Sequence, residues 1–185
     1  MRVSVPLRRA YKLINHGPTT LITPAAGDRR NVMTAAWVMA IDFDPAKVVA
    51  VIAAGTFTRK LVEASGEFVV NVPTAHLLDA TYAAGQVSGE DHDKFAALDL
   101  RTSPASIVGV PLLEGCAAWL ECRVVPEPHM QEGYDLFVGD VVAAWADDAS
   151  FVDGLWRFTR VEDRTFHHLS SGVFLTSGDV VKAKS

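Results

Sequence analysis

The chain has 185 residues, 49% of them hydrophobic and 21% charged, and 17 basic against 22 acidic residues leave a formal charge of −5. So much apolar material excludes an intrinsically disordered chain, and the length suits one domain spanning 1–185. The acidic balance argues against nucleic acid as a partner, because neutralising phosphates needs a basic surface.

The opening stretch Met1–Asn15 carries charges but no apolar core of signal-peptide length. The longest apolar runs, Ala35–Ile41 and Val48–Ala54, fall far short of the ~18–20 residues of a bilayer helix. A cytoplasmic protein without a membrane partner is the expectation.

Strand-like runs dominate. Thr20–Ala25 leads through the polar turn Gly27–Asn31 into Met33–Ile41, and the turn Asp42–Pro45 leads into Val48–Ala54. This order reads as an antiparallel meander. A helix is expected over Thr58–Ser65, with Gly66 in the usual stop position. Phe68–Val72 reads as a short strand ended by Pro73. Two more helices are expected over Ala75–Ala84 and Asp91–Leu98. Ala117–Val125 and Leu136–Trp145 read as long strands, joined by the spacer Pro126–Asp135 as an extended hairpin connection. Alternation in the first of them puts Trp119, Glu121 and Arg123 on one face and Leu120, Cys122 and Val124 on the other, the period of a half-buried strand. Many antiparallel strands with few helices point to a β-barrel or sandwich. The two cysteines, Cys116 and Cys122, fall along one strand at a spacing of ~20 Å, too far for a disulfide.

Several chemistries lack their residues. The chain contains no Gly-x-Gly-x-x-Gly, no P-loop pattern and no Gly-x-Ser-x-Gly. His-Glu-x-x-His and Cys-x-x-Cys are also missing, and adjacent His167 and His168 would point to opposite faces of a strand, so no metal site is expected.

Three segments carry chemical information. Gly55-Thr56-Phe57-Thr58-Arg59-Lys60 follows an apolar strand and opens a helix, whose free amides and partial positive charge suit an anion. A plain Thr cap with two solvated cations accounts for the same residues. In Asn31-Val32-Met33-Thr34-Ala35-Ala36-Trp37, small residues would let a flat ligand approach the backbone, with Asn31 and Thr34 as polar partners and Trp37 as a wall. An ordinary strand with Trp37 in the core is the alternative. Ser88–Phe95 reads as a loop running into a helix.

Taken in order, these segments and those after them resemble the flavin reductase-like family of FMN-binding split-barrel proteins. The matching residues are Asn31–Trp37, Asp42–Pro45, Thr56 with Thr58, Gly66–Asn71, Ser88–Gly89 with Asp93–Phe95, Leu120–Val124 and Phe137–Val141, across roughly residues 8–175. The resemblance implies a mainly β fold, an antiparallel split barrel of Greek-key type with a few flanking helices. It also implies that FMN binds with its phosphate at Thr56 and Thr58 and at Arg59 or Lys60. The isoalloxazine ring would lie along Asn31, Met33, Thr34, Ala35 and Ala36, near Trp37. Asn71 and Ser88 are candidates near the ribityl chain or ring edge, His168 is a lining residue, and Asp93–Phe95 ties the loop down. The chain departs from many relatives at Gly55-Thr56-Phe57, where they carry a polar pair such as Ser-Arg.

The implied activity is that of an NAD(P)H:flavin reductase, with NADH or NADPH as donor and the hard chemistry carried by the flavin rather than by a side chain. A flavoredoxin-like electron carrier without efficient nicotinamide turnover is the second reading, and a barrel that has lost its cofactor the third. The implied partners are the flavin and nicotinamide nucleotides, a second copy of the chain in a homodimer, and a monooxygenase or other electron acceptor.

Overall fold

The computed structural model describes residues 1–184. Its main sheet contains β1 (Arg2–Ser4), β2 (Thr20–Thr23), β3 (Met33–Ala35), β4 (Val38–Phe43), β5 (Ala46–Val51), β6 (Glu67–Pro73), β7 (Cys116–Val125) and β8 (Leu136–Asp147). The strands run in the order β3-β2-β6-β7-β8-β5-β4, with β1 added alongside β8. Every pairing is antiparallel. The two ends of this ribbon, β3 and β4, are consecutive in sequence and are joined only by Ala36 and Trp37. The sheet therefore curls until its ends meet, an antiparallel split barrel with its seam at Ala36–Trp37.

Four helices flank it: α1 (Phe57–Ser65), α2 (Leu78–Ala84), α3 (Lys94–Ala97) and α4 (Pro128–Tyr134). A separate C-terminal hairpin pairs β9 (Phe166–Ser170) with β10 (Val173–Thr176). No helix among the described residues is long and apolar enough to cross a membrane.

The barrel interior holds Leu13, Ile22, Phe68, Val70, Leu120, Cys122 and Phe137, all fully buried or nearly so. Phe68 explains a glycine: a Cβ on Gly139 would stand 2.7 Å from its ring. Gly66 takes φ +70° and closes α1 as a left-handed C-cap, which costs other residues a steric penalty.

A second apolar layer covers the outer face of β6 and β7 with Phe95, Leu100, Val108, Leu112 and Leu113. The first seven residues of β7 are therefore buried on both faces, which corrects the half-buried reading. The cause is Glu121. Its carboxylate is buried and accepts from the backbone amides of Ser106, Ile107 and Val108, from the Ser106 hydroxyl and from the Trp145 indole at 2.8 Å. Burial alone would raise its pKa, but these donors hold it below the ordinary carboxylate range. The loop is thereby pinned across a face that would otherwise meet water.

Other sequence expectations shift in detail. Pro24 interrupts the first predicted strand at Thr23, and Met33–Ile41 breaks at the seam into β3 and β4. Ala75–Ala84 begins as a 3-10 turn over Ala75–Leu77. The third helix starts at Lys94, with Asp93 capping it through bonds from Phe95 and Ala96 amides. The spacer Pro126–Asp135 contains α4, nucleated by Pro128 in its first turn and stopped by Asp135 at φ +57°. Both cysteines are free and buried, and burial pushes their thiol pKa values up.

Candidate functional site

Two adjoining cavities open at the barrel seam, and both are lined by Met33 and Thr34 of β3 and by Gly85 at the end of α2. The first, about 340 Å³, reaches the N-terminus of α1 and is lined by Asn31, Thr56, Thr58, Ser88, Gly89 and Lys94 among others. The second, about 440 Å³, follows Met33–Trp37 and is walled by Tyr82, His168 and Phe174.

The first cavity is a donor site. Thr56 caps α1, accepting from the Arg59 amide and donating to the Ala53 carbonyl at 2.8 Å. The amides of Phe57 and Thr58, first in the helix, have no intrahelical acceptor. Thr58 is buried, and its hydroxyl accepts from Asn31 Nδ2 at 2.9 Å, which leaves its own proton free to donate. Asn31 Oδ1 is buried with no partner. Gly89 closes over this amide so tightly that a Cβ there would stand 2.0 Å from Oδ1.

Lys94 is 5% exposed and reaches from α3 to donate to the Val32 carbonyl at 3.0 Å and the Ala84 carbonyl at 2.7 Å. An ammonium has three protons, so one remains. Burial lowers its pKa, and a neighbouring anion would raise it again. No carboxylate lines this cavity. Its amides, hydroxyls and single buried cation fit a phosphate.

The second cavity offers flat walls and no Asp, Glu, Lys or Arg: Trp37, Tyr82, His168 and Phe174 surround a floor of small residues, Ala35, Ala36 and Ala53. Trp37 is 74% exposed at the seam, so it is a wall residue and not part of the core. Thr34 is turned away through a hydrogen bond from its hydroxyl to the Thr81 carbonyl.

The structure thus gathers Asn31, Met33, Thr34, Thr56, Thr58 and Ser88 around one cavity, and Met33–Trp37 with His168 around the other. Arg59, Lys60 and Asn71 line neither. Arg59 is bound by Glu63 at 2.7 Å, Asp135 at 2.5 Å and the Gln131 carbonyl at 3.0 Å, an anchor between α1 and α4. Lys60 pairs with Glu90 on the surface. Asn71 is buried on the far side of β2, where it donates to the Leu21 carbonyl and Thr23 Oγ1 and accepts from the Leu113 amide.

Lys94, Tyr82 and Phe174 are site residues that the sequence reading missed. A lysine directly between a cap (Asp93) and a core aromatic (Phe95), in a helix too short to own a solvent face, is the signal that could have found Lys94. Tyr82 and Phe174 have no local signal, since they meet only through the tertiary fold.

Fold and site together define a split barrel whose seam holds an anion cradle joined to an aromatic-walled cleft. The model of the flavin reductase like domain matches residues 13–163, and the chain belongs to that family. It is 42% identical to the uncharacterized protein YddH of Escherichia coli K12, over 98% of this chain and 97% of YddH. Among solved structures, an FMN-binding domain of a flavin reductases-like enzyme from Shewanella baltica matches with a TM-score of 0.97 at 37% identity, covering 100% of this chain and 98% of that one. A flavoredoxin of Desulfovibrio vulgaris shares the fold with a TM-score of 0.78 at 24% identity, each chain covered to 90%.

Proposed function

We propose that this chain binds FMN across the seam and catalyses hydride transfer from NADH or NADPH to it, as a flavin reductase. The observation that carries the reading is the junction of the two cavities at Met33 and Thr34, which matches a ligand with an anionic end and a planar end. Thr56, Thr58, Lys94 and the first amides of α1 hold the phosphate, and Asn31 orients Thr58. Met33–Ala36 and Trp37 flank the ring, with Ser88 at its polar approach and His168 on the opposite wall. Bound there, FMN supplies the hydride-accepting chemistry. The protein supplies orientation and an aromatic-walled cleft for the nicotinamide.

The same reading includes a homodimer. Trp37 at the seam and Met39, Ile41 and Phe43 on one face of the end strand β4 are 46–74% exposed, an apolar stripe of the kind that packs against another chain. The electrons pass to a monooxygenase or another electron acceptor, and the setting is the cytoplasm.

The visible spectrum of the purified chain, before and after FMN addition and desalting, tests the cofactor. Steady-state oxidation of each nicotinamide with FMN tests the reaction. Retention of FMN with negligible turnover of either nucleotide replaces this reading with that of an electron carrier. Neither retention nor turnover leaves only the barrel. For the assembly, Met39→Asp is expected to convert a dimer to a monomer by sedimentation, and a wild-type monomer refutes it.

A further inference from the structure

The hairpin β9–β10 belongs to no other sheet. An isolated two-stranded hairpin is marginal in water, so its position depends on what ties it down. Its base is tied firmly. Thr165 bonds His16 Nε2 at 2.9 Å and shares a short hydrogen bond with Ser177. His167 Nδ1 meets the Gly17 carbonyl at 2.8 Å, and the His168 amide donates to Thr19 Oγ1 at 2.9 Å.

The tip is held differently. It turns through Ser171 and Gly172, both at positive φ, and Gly172 sits directly on Tyr82 of α2. A Cβ on Gly172 would stand 3.0 Å from Tyr82 Cζ and 3.2 Å from its hydroxyl. Tyr82 also meets the Phe174 ring edge-on at 6.3 Å, and Phe174 in turn meets His168 at 5.2 Å. The register slips between His168 and Ser170. A bulge there re-aims side chains, as bulges beside binding sites commonly do. Phe174 and His168 both face the second cavity. Phe174 also packs edge-on against buried Phe166 at 5.4 Å, near the base, but no hydrogen bond holds the tip to α2, so at the tip the aromatic contact with Tyr82 is what fixes the hairpin over the cleft.

We propose that the hairpin is a strap across the aromatic end of the cleft and that Tyr82 latches its tip. Tyr82 is thereby a positioning residue for the second ligand, a nicotinamide-sized planar ring, an assignment that rests on the function proposed above. With the latch engaged, Phe174 and His168 form a fixed wall against which that ring is placed. With the latch lost, the strap pivots on its base and the wall loosens.

The test compares wild type, Tyr82→Ala and Tyr82→Phe as full-length protein. Hydrogen exchange across residues 166–176 reads the latch without any cofactor. Tyr82→Ala is expected to speed exchange near the tip by about tenfold, the scale of one lost aromatic pair, while Tyr82→Phe keeps the ring and stays slow. Gly172→Ala, which pushes on the ring from the other side in an exposed turn, is expected to act in the same direction. In FMN-loaded protein, Tyr82→Ala is expected to raise KM for the nicotinamide more than it lowers kcat, with Tyr82→Phe restoring both.

Unchanged exchange in Tyr82→Ala and in Gly172→Ala overturns the latch. Faster exchange with an unmoved KM overturns the positioning role. If wild type neither binds FMN nor oxidises a nicotinamide, the functional reading fails, and the exchange data still decide the latch.

Discussion

Asn31 and Asn71 are both buried and both lie on strands or turns of the barrel, yet they live in opposite conditions. Asn71 spends its amide on β2 and on Leu113, with donors and acceptor all engaged. Asn31 makes one bond to Thr58 and leaves Oδ1 without a partner. The same contrast separates Glu121, which accepts from five groups, from Lys94, which uses two of its three protons. A buried polar group that is fully satisfied holds the protein together. The spare proton of Lys94, at the edge of the first cavity, is different: a bound anion can accept it.

The sharpest test of the satisfied side is Glu121→Ala. It strips the acceptor from the Ser106, Ile107 and Val108 amides and from Trp145, and is expected to cost about 4 kcal/mol. A drop in melting temperature of about 10 °C follows for a chain of this size. A loss below about 1 kcal/mol would mean that the loop finds water or other acceptors, and that the pinning role is wrong.

His16 belongs to the same comparison, because it is half-buried with Nδ1 shielded from solvent and unpartnered. Burial first, and then nearby His167, lower its pKa from 6.5 to about 4. The folded state thus resists a proton that the unfolded chain accepts. Stability from this site is complete above pH 6.5 and is lost as pH falls toward 4, by roughly 3 kcal/mol. Denaturant titrations at pH 7 and pH 4 should show it, and His16→Gln should flatten that part of the profile. A wild-type profile already flat over this range would place His16 in contact with water.

Asn71→Ala and Lys94→Met pull the comparison in opposite directions. Asn71→Ala should cost about 2 kcal/mol of folding free energy, since the Leu113 amide loses a buried acceptor. Lys94→Met removes a desolvated cation, so folding should change by less than about 1 kcal/mol. FMN affinity should nevertheless fall by roughly tenfold to a hundredfold, the worth of a charge-assisted hydrogen bond. Calorimetric unfolding and fluorescence titration of FMN measure the two axes. If Lys94→Met loses only stability, the cradle does not contain Lys94.

This division was only partly legible in the sequence. The barrel was readable because strand alternation, Gly66 and the turns are local signals, and the order of short segments around Asn31–Trp37 and Thr56–Thr58 resembled one family. Arg59 and Lys60 read as phosphate partners because they stand in the first turn of a helix, and Asn71 reads as a candidate only through the family resemblance. The partners that hold Arg59 and Asn71 in the structure, Asp135 and Leu113, lie 76 and 42 residues away, beyond any local pattern. The helix α4 that Asp135 caps falls in a spacer whose sequence reads as a connection. Lys94 is the intermediate case: its place between a cap and a core aromatic hints that it is buried, but the two carbonyls of Val32 and Ala84 that receive it come from other parts of the chain.

Thr58 tests the smallest effect and the finest point of the contrast, since it serves both sides at once. Its hydroxyl accepts from Asn31, a structural bond, and its proton remains for a ligand. Thr58→Val keeps the shape and deletes both functions, whereas Thr58→Ser keeps both and deletes a methyl group. Thr58→Val is therefore expected to lower folding stability by about 1 kcal/mol and to weaken FMN by about tenfold, with Thr58→Ser close to wild type in affinity. Equal FMN dissociation constants for wild type and Thr58→Val would leave Thr58 as a support for Asn31 alone and move the phosphate toward Lys94 and the helix amides.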